Sequence, residues 1–147
     1  MANYCCTVRS SYFYVTDEEK YKELMEHIIT SEDSLDCWDE KKSDGRIAHA
    51  FACYSPILGY IDDPEAWEDY ENDVDPDYDF FLKKLSEIIA PNSACVIFQS
   101  GNEKLRYVDG LVDVVMPGKV VCSNLEDMAR NIMKDNGIDA DRVELYY

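Results

Sequence analysis

Acidic side chains are the residues whose type and spacing most clearly indicate chemistry in this sequence. Segment 62–79, DDPEAWEDYENDVDPDYD, contains ten of them, and no Lys or Arg lies between Arg46 and Lys83. The ten acids are Asp62, Asp63, Glu65, Glu68, Asp69, Glu71, Asp73, Asp75, Asp77 and Asp79. A block of like charge repels itself, so it commonly serves as an interaction segment or stays solvated.

Aromatic residues interrupt this acidic block, which is unusual for a disordered acidic segment. Trp67, Tyr70 and Tyr78 lie among the acids. Large aromatic side chains supply much of the binding energy at protein interfaces. We therefore interpret 62–79 as a partly ordered acidic insertion that binds a basic protein partner. The predicted contacts are the ten acids together with Trp67 and Tyr70.

The spacing of the acids resembles a row of phosphates. From Glu71 to Asp79 every second residue is acidic, and an extended chain would place these acids ~6.6 Å apart, at ~3.3 Å per residue. If the segment is helical, Glu65, Glu68 and Asp69 share one face instead. Either arrangement would let the insertion mimic nucleic acid and occupy the Lys- and Arg-lined cleft of a nucleic-acid-binding protein.

The same acids raise calcium binding as an alternative. Residues 73–79, DVDPDYD, alternate Asp with other residues as the start of an EF-hand loop does. That loop requires Gly at its sixth position and Glu at its twelfth, but these positions are Tyr78 and Lys84 when counted from Asp73. The sequence therefore excludes an EF-hand and leaves a looser calcium site open.

Catalytic motifs do not stand out. The sequence contains no nucleophile elbow, no P-loop and no Gly-x-Gly-x-x-Gly pattern. His49 lies in an apolar run, which favours a satisfied core or edge histidine over a general base. We expect neither enzyme activity nor a cofactor. An enzyme with a cleft lined by Cys and His stays open as an alternative.

The cysteines indicate a reducing compartment. They are Cys5, Cys6, Cys37, Cys53, Cys95 and Cys122, and five of the six lie in apolar, strand-like runs. Free cysteine behaves there as a small buried hydrophobe. No Cys-x-x-Cys pair suggests zinc, and neither a signal peptide nor a membrane-spanning run is visible. We expect reduced core cysteines in a cytoplasmic protein that does not bind membranes.

Composition limits the class of protein further. A length of 147 residues favours one domain spanning 1–147, and a hydrophobic content of 46% is typical of a globular chain. The formal net charge is −17. Direct binding of DNA or RNA requires a basic surface that neutralises phosphates, so this charge argues against it.

Periodicity and turn residues predict an α+β fold with a single, mostly antiparallel sheet and about three helices packed mainly on one face. The expected elements are strands at 3–15, 35–40, 46–55, 93–99, 104–116, 119–122 and 142–147, and helices at 17–30, 76–90 and 123–136. The expected caps are boxes at Thr16–Glu19 and Ser123–Glu126 and an Asp75 cap before Pro76. Turns or bends are expected at Asp44–Gly45, Gly101–Asn102, Gly110 and Pro117–Gly118, and Gly137 should end the last helix. The expected core comprises Leu24, Ile28, Phe81, Leu85, Val96, Phe98 and Ile132.

Two segments carry a family resemblance. NYCCTVRSSYFYV, residues 3–15, and VIFQSGNEKLRYVDG, residues 96–110, resemble small acidic proteins of phages and conjugative elements in Gram-positive bacteria. In size and charge the chain also resembles anti-CRISPR and anti-restriction proteins that mimic DNA. These resemblances imply an inhibitor of a host defence nuclease, such as a CRISPR effector or a restriction enzyme. An immunity protein, antitoxin or adaptor that neutralises another basic protein is the main alternative, and the oligomeric state stays open.

Overall fold

The computed structural model describes residues 4–68, 74–104 and 107–144. The strands are β1 (Cys5–Ser10), β2 (Ile28–Thr30), β3 (Asp36–Lys41), β4 (Ile47–Cys53), β5 (Ile57–Tyr60), β6 (Cys95–Glu103), β7 (Tyr107–Met116) and β8 (Lys119–Asn124). The helices are α1 (Glu18–Glu26), α2 (Tyr78–Ser86) and α3 (Leu125–Asp135), with short 3₁₀ helices at Pro64–Glu68 and Ala140–Arg142.

Six strands form one antiparallel sheet in the order β3-β4-β1-β6-β7-β8. The short strands β2 and β5 pair separately as a two-stranded antiparallel ribbon. The predicted α+β class, the mostly antiparallel sheet and the three helices are confirmed. The β2–β5 ribbon is an addition, because its strands of three and four residues are too short to show a clear alternation.

The core lies between one face of the sheet and helices α1 and α2. Val8 is paired with Cys53, so these side chains share a face with Phe51 two residues away. The ring of Phe51 contacts that of Phe81 from α2, with centroids 6.1 Å apart. We call this the inner face. The predicted core residues Leu24, Ile28, Phe81 and Leu85 are buried here, which confirms them.

Helix α3 lies across the opposite, outer face. Thr7, Ser100 and Gly110 are paired across β1, β6 and β7, so they share the face turned away from Val8. The Leu125 side chain lies 2.8 Å from where a Cβ on Gly110 would be. The first turn of α3 therefore packs on the outer face. Helices α1 and α2 pack on the inner face, so the helices lie mainly on one face, as the sequence predicts.

The predictions that Phe98 and Ile132 belong to the core are wrong, and Val96 is less buried than expected. Phe98 is 55% exposed and Ile132 is 57% exposed, while Val96 is half-buried. In β6 the buried residues are Cys95 and Ile97, so the alternation of the strand turns Phe98 outward. Ile132 belongs to the apolar side of α3, which the outer face covers only in part.

The start of α1 differs from the expected capping box. Asp17 is the N-cap, and its side chain accepts a hydrogen bond from the Lys20 amide. Thr16 instead donates from its hydroxyl to the Ile88 carbonyl. The helix ends at Glu26, because the chain turns there to form β2 from residues predicted to be helical. The predicted first strand is also shorter, and beyond Ser10 only single bridges at Phe13 and Val15 continue it.

The other two helices begin one or two residues later than predicted. Asp77, not Asp75, caps α2, and its carboxylate accepts a hydrogen bond from the Phe80 amide at 2.9 Å. Asn124, not Ser123, caps α3. In each segment several neighbouring residues can act as caps, and the strand or bridge just before the helix selects the last of them.

The turn predictions have mixed outcomes. The β3–β4 hairpin with Gly45 at φ +87° and the turn with Gly118 at φ +70° are confirmed. Gly101–Asn102 is not a turn, because both residues pair with Cys6 and Cys5 inside the sheet. Gly110 pairs with Ser100 in an unbroken register rather than in a bulge. Gly137, at φ +75°, follows the end of α3 as predicted.

The predicted last strand is not formed by its first residues. Arg142 ends the short 3₁₀ helix, and Val143 follows it as the C-cap. The remainder, 145–147, lies outside the described residues.

Candidate acidic interaction site

The acidic segment is closed at its base by a pair of backbone hydrogen bonds. Tyr60 donates its amide to the Asp77 carbonyl at 3.0 Å, and Asp77 donates its amide to the Tyr60 carbonyl at 2.9 Å. Tyr60 ends β5 and Asp77 caps α2, so the pair joins the two elements that flank the segment. Residues 61 and 76, which lie just inside the pair, are thereby held close together.

Gly59 makes this close approach possible. A Cβ at this position would overlap the backbone of Asp77 and Tyr78. The residue also has φ +133°, a conformation that side-chain-bearing residues rarely adopt. Both constraints require glycine here, so the sequence of β5 is adapted to hold the start of α2 against the strand.

Four acidic residues that follow β5 or precede α2 line one groove. They are Asp62, Asp63, Asp75 and Asp77, and the groove has a volume of about 490 Å³. Its apolar lining comprises Tyr60, Ile61, Ala66, Val74 and Phe80. Apolar walls keep the local dielectric low, so the field of the carboxylates is stronger in the groove than over an open surface.

The rim beside Asp63 is shaped by the 3₁₀ helix Pro64–Glu68. The Asp63 side chain accepts a hydrogen bond from the Glu65 amide at 3.1 Å, and its carbonyl accepts another from Ala66. Trp67 in this helix is 38% exposed. An exposed aromatic side chain therefore lies beside the acids, as expected for an anchor residue.

These acids are not ion-paired with basic side chains in the part of the chain that the structure describes, although Lys84 lies over the Phe80 ring of the groove lining, with its Nζ 5.4 Å from the ring centroid. In residues 4–68, 74–104 and 107–144, no ion pair joins Asp62, Asp63, Glu65, Asp75, Asp77 or Asp79 to a lysine or arginine. All six are exposed. The negative potential of this surface is therefore not cancelled by internal ion pairs, and it is available to a partner.

The structure groups only part of the predicted interaction set. Asp69, Tyr70, Glu71 and Asp73 lie outside the described residues, as does the side chain of Glu68. The predicted every-second-residue row does not continue to Asp79, because the chain becomes helical at Tyr78. Asp79 instead lies on the first turn of α2, where its charge acts on the Cys122 thiol of β8.

The end of α1 adjoins the same site. The His27 ring stacks on Tyr60 with centroids 5.0 Å apart, and the Ile61 amide donates to the His27 carbonyl. Glu26 occupies the last turn of this helix, which contains no basic residue. A carboxylate at the negative end of a helix dipole is unfavourable, so Glu26, next to His27 in the sequence, slightly destabilises the end of α1.

The acids Glu32 and Asp33 lie away from the groove. Glu32 and Asp33 donate their amides to the Ser55 hydroxyl, at the end of the β2–β5 ribbon remote from Tyr60. Four residues of extended chain separate Glu32 from Ile28, or about 13 Å. These two acids therefore do not extend the groove.

A second constellation was not predictable from the sequence. His49 is 3% exposed, and its ring nitrogens lie 2.7 Å from an Asp39 oxygen and 2.6 Å from a Glu18 oxygen. Each ring nitrogen of His49 therefore lies within hydrogen-bonding distance of a carboxylate oxygen. The predicted satisfied core histidine is confirmed, and it clamps α1 to β3 and β4.

The cysteines divide into two groups. Cys6, Cys53 and Cys95 are buried free thiols, as predicted, whereas Cys5, Cys37 and Cys122 are exposed. The prediction of six core cysteines is therefore wrong for half of them. Although Cys37 is exposed as a residue, partial desolvation of its sulfur raises the pKa of the thiol to about 11, with Asp39 and Asp36 adding to it. Burial and the Asp113 carboxylate raise the pKa of Cys122 to about 11 as well.

The described parts of the chain contain no group of three or more His, Cys, Asp or Glu side chains arranged to hold a metal ion. No described helix is both long and apolar enough to cross a membrane. Comparison with protein-family models, with curated proteins and with solved structures finds no match to this chain. The proposal below therefore depends on the site itself.

Proposed function

We propose that this chain is an acidic protein inhibitor that occupies the basic nucleic-acid-binding cleft of a host defence nuclease, such as a CRISPR effector or a restriction enzyme. The observation that carries the proposal is the groove lined by Asp62, Asp63, Asp75 and Asp77, none of which forms an ion pair among the described residues. Clefts that bind nucleic acid present Lys and Arg to phosphates, and fixed carboxylates can take the place of those phosphates.

The arrangement favours binding over a solvated loop for two reasons. The Tyr60–Asp77 pair and Gly59 fix the two ends of the segment, which lowers the entropy that a partner's binding must overcome. The Glu26 carboxylate is retained where it destabilises its own helix. Residues that break a local stability rule without compensation are typical of functional surfaces.

Trp67 and the groove lining would supply the apolar part of the contact. The exposed Trp67 side chain and the Tyr60 and Phe80 rings lie next to the carboxylates. Binding energy at protein interfaces comes mainly from such aromatic residues, while surrounding charges direct the approach. The expected partner surface is therefore basic with at least one apolar pocket.

Capture from lysates of Gram-positive bacteria that contain CRISPR and restriction systems tests the proposal. The immobilised chain should retain a nuclease subunit, and a DNA duplex or RNA added to the column should release it by competition. Recovery of a toxin that nucleic acid does not displace would favour the immunity-protein alternative instead. Retention that is unchanged when the groove acids are neutralised would contradict the proposed site.

A further inference from the structure

The outer face carries an apolar surface that the described chain does not cover. Helix α3 has one apolar side, yet none of its residues is buried. Leu125, Met128 and Ile132 are 52%, 51% and 57% exposed, and Phe98 and Val121 on the adjacent strands are 55% and 46% exposed. Contiguous apolar patches of this kind mark interaction surfaces.

A groove runs between this helix and the sheet. It has a volume of about 440 Å³, and Phe98, Val112, Leu125 and Met128 contribute to its lining. Of the described residues that line it, Arg9 alone is charged. The chain has 31 acidic residues, yet no described carboxylate lines this groove. It is therefore more apolar than the acidic groove and lacks its negative charge.

Strand β8 and helix α3, which border this groove, together carry no net charge. Segment 119–135, which forms β8 and α3, contains three basic and three acidic residues. Segment 62–79 contains ten acids and no base. Two copies of a chain with a net charge of −17 repel each other over most of their surface, so the neutral face is where they can approach most closely.

We propose that this outer face is the contact between two copies of the chain in a twofold-symmetric dimer. The apolar side of α3 from one copy would lie against the groove of the other, and the reverse contact would form by symmetry. Lys119 and Lys134 of one copy could then approach Glu126, Asp127 or Asp135 of the other. A second copy fits this face because it supplies an apolar helix side for the groove. It also supplies both basic and acidic residues at the edge of the contact.

The dimer would leave both acidic grooves free, because those grooves are built from β5 and the start of α2 rather than from β8 and α3. This inference does not rest on the proposed function. A chain that dimerises but inhibits no nuclease would support it, and a monomeric inhibitor would overturn it.

Sedimentation equilibrium of the full chain tests the proposal directly. At about 100 µM and near-physiological salt, where the Debye length is about 8 Å, the mass should approach twice the 17.0 kDa of one chain. Phe98→Glu and Ile132→Glu should each weaken dimerisation at least about tenfold. The control Tyr54→Glu, at a 76% exposed position outside the patch, should leave it unchanged. Thermal melts of each variant establish that it is folded.

Salt provides a second, independent readout. Added salt screens the repulsion between the two acidic chains but leaves the apolar contact intact, so dimerisation should strengthen as salt increases. A wild-type chain that stays monomeric across these conditions would overturn the proposal. A dimer that resists both folded substitutions, or that dissociates as salt increases, would overturn it as well.

Discussion

Tyr60 and Asp77 pair through both of their backbone groups, at 3.0 and 2.9 Å, and so join the end of a strand to the start of a helix across 16 intervening residues. Eight of the ten acids of segment 62–79 lie between the paired residues, Asp77 is one of the pair, and Asp79 follows it. The pair therefore sets the position of the acidic groove.

Replacing Gly59 by Ala should disturb the Tyr60–Asp77 backbone pair. The new Cβ would overlap the Asp77 backbone, and φ +133° would be strained as well. We expect a loss of about 1–3 kcal/mol in the free energy of unfolding, measured by urea denaturation. Gly118→Ala is the matched control, because Gly118 also has positive φ but open space around it. Equal losses in the two variants would contradict the close packing of β5 against α2.

The His49 clamp should contribute measurably to stability. His49→Gln removes a donor that serves Glu18 and Asp39, and their carboxylates would then repel each other. Because both acids are more than half exposed, water offsets part of the loss, and we expect about 1–3 kcal/mol. Adding Glu18→Gln and Asp39→Asn to the His49→Gln variant should recover part of the lost free energy of unfolding. A histidine variant as stable as the wild type would show that the clamp is not needed.

Thiol labelling should distinguish two groups of cysteines. Cys5, Cys37 and Cys122 should react with maleimide in the native protein, and the buried three should react only after denaturation. The thiolate is the reactive form, so the raised pKa of Cys37 and Cys122 should make their labelling rates increase about tenfold per pH unit between about pH 7 and 9. Peptide mapping by mass spectrometry measures each rate. Fast native labelling of Cys95 would contradict the packing of the core.

Leu85→Ala tests the packing of α2 on the inner face. Leu85 is fully buried, so truncation should cost about 2–5 kcal/mol in the free energy of unfolding. Ile47→Ala is the control, since Ile47 is 42% exposed and should cost well under half as much. Similar losses for both would mean that α2 does not pack as described.

Local sequence signals predict part of this fold and miss the rest for physical reasons. Helical spacing correctly predicts that Leu24 and Leu85 are buried. The same spacing predicts a buried Ile132, but a helix packed on either face of a sheet shows the same pattern, so the spacing does not reveal which face is covered. Strand β6 is apolar on both faces, so its pattern leaves the outward position of Phe98 undetermined.

The candidate site is predictable in composition but not in geometry. The charge of segment 62–79 is evident from the sequence, whereas the convergence of Asp62 and Asp75 depends on the Tyr60–Asp77 pair. Gly59 is the one local signal of that pair. The His49 clamp joins residues 10 and 31 positions apart, and no local pattern connects them.

The central claim is that the acidic groove, rather than the net charge, binds the partner. The groove variant replaces Asp62, Asp63 and Asp75 by Asn and Glu65 by Gln, and it keeps Asp77 because that residue caps α2. The control variant also removes four negative charges, but at exposed sites away from the groove. Its substitutions are Glu32→Gln, Asp135→Asn, Asp141→Asn and Glu144→Gln.

Affinity for the captured nuclease, measured for the wild type and both variants across a salt series, is the most direct test. Four contacts of about 0.5–1 kcal/mol each predict a loss of roughly thirtyfold or more for the groove variant. Its binding should also depend less on salt, while the control stays close to the wild type. Unchanged affinity of a folded groove variant, or equal losses in both variants, would contradict the claim.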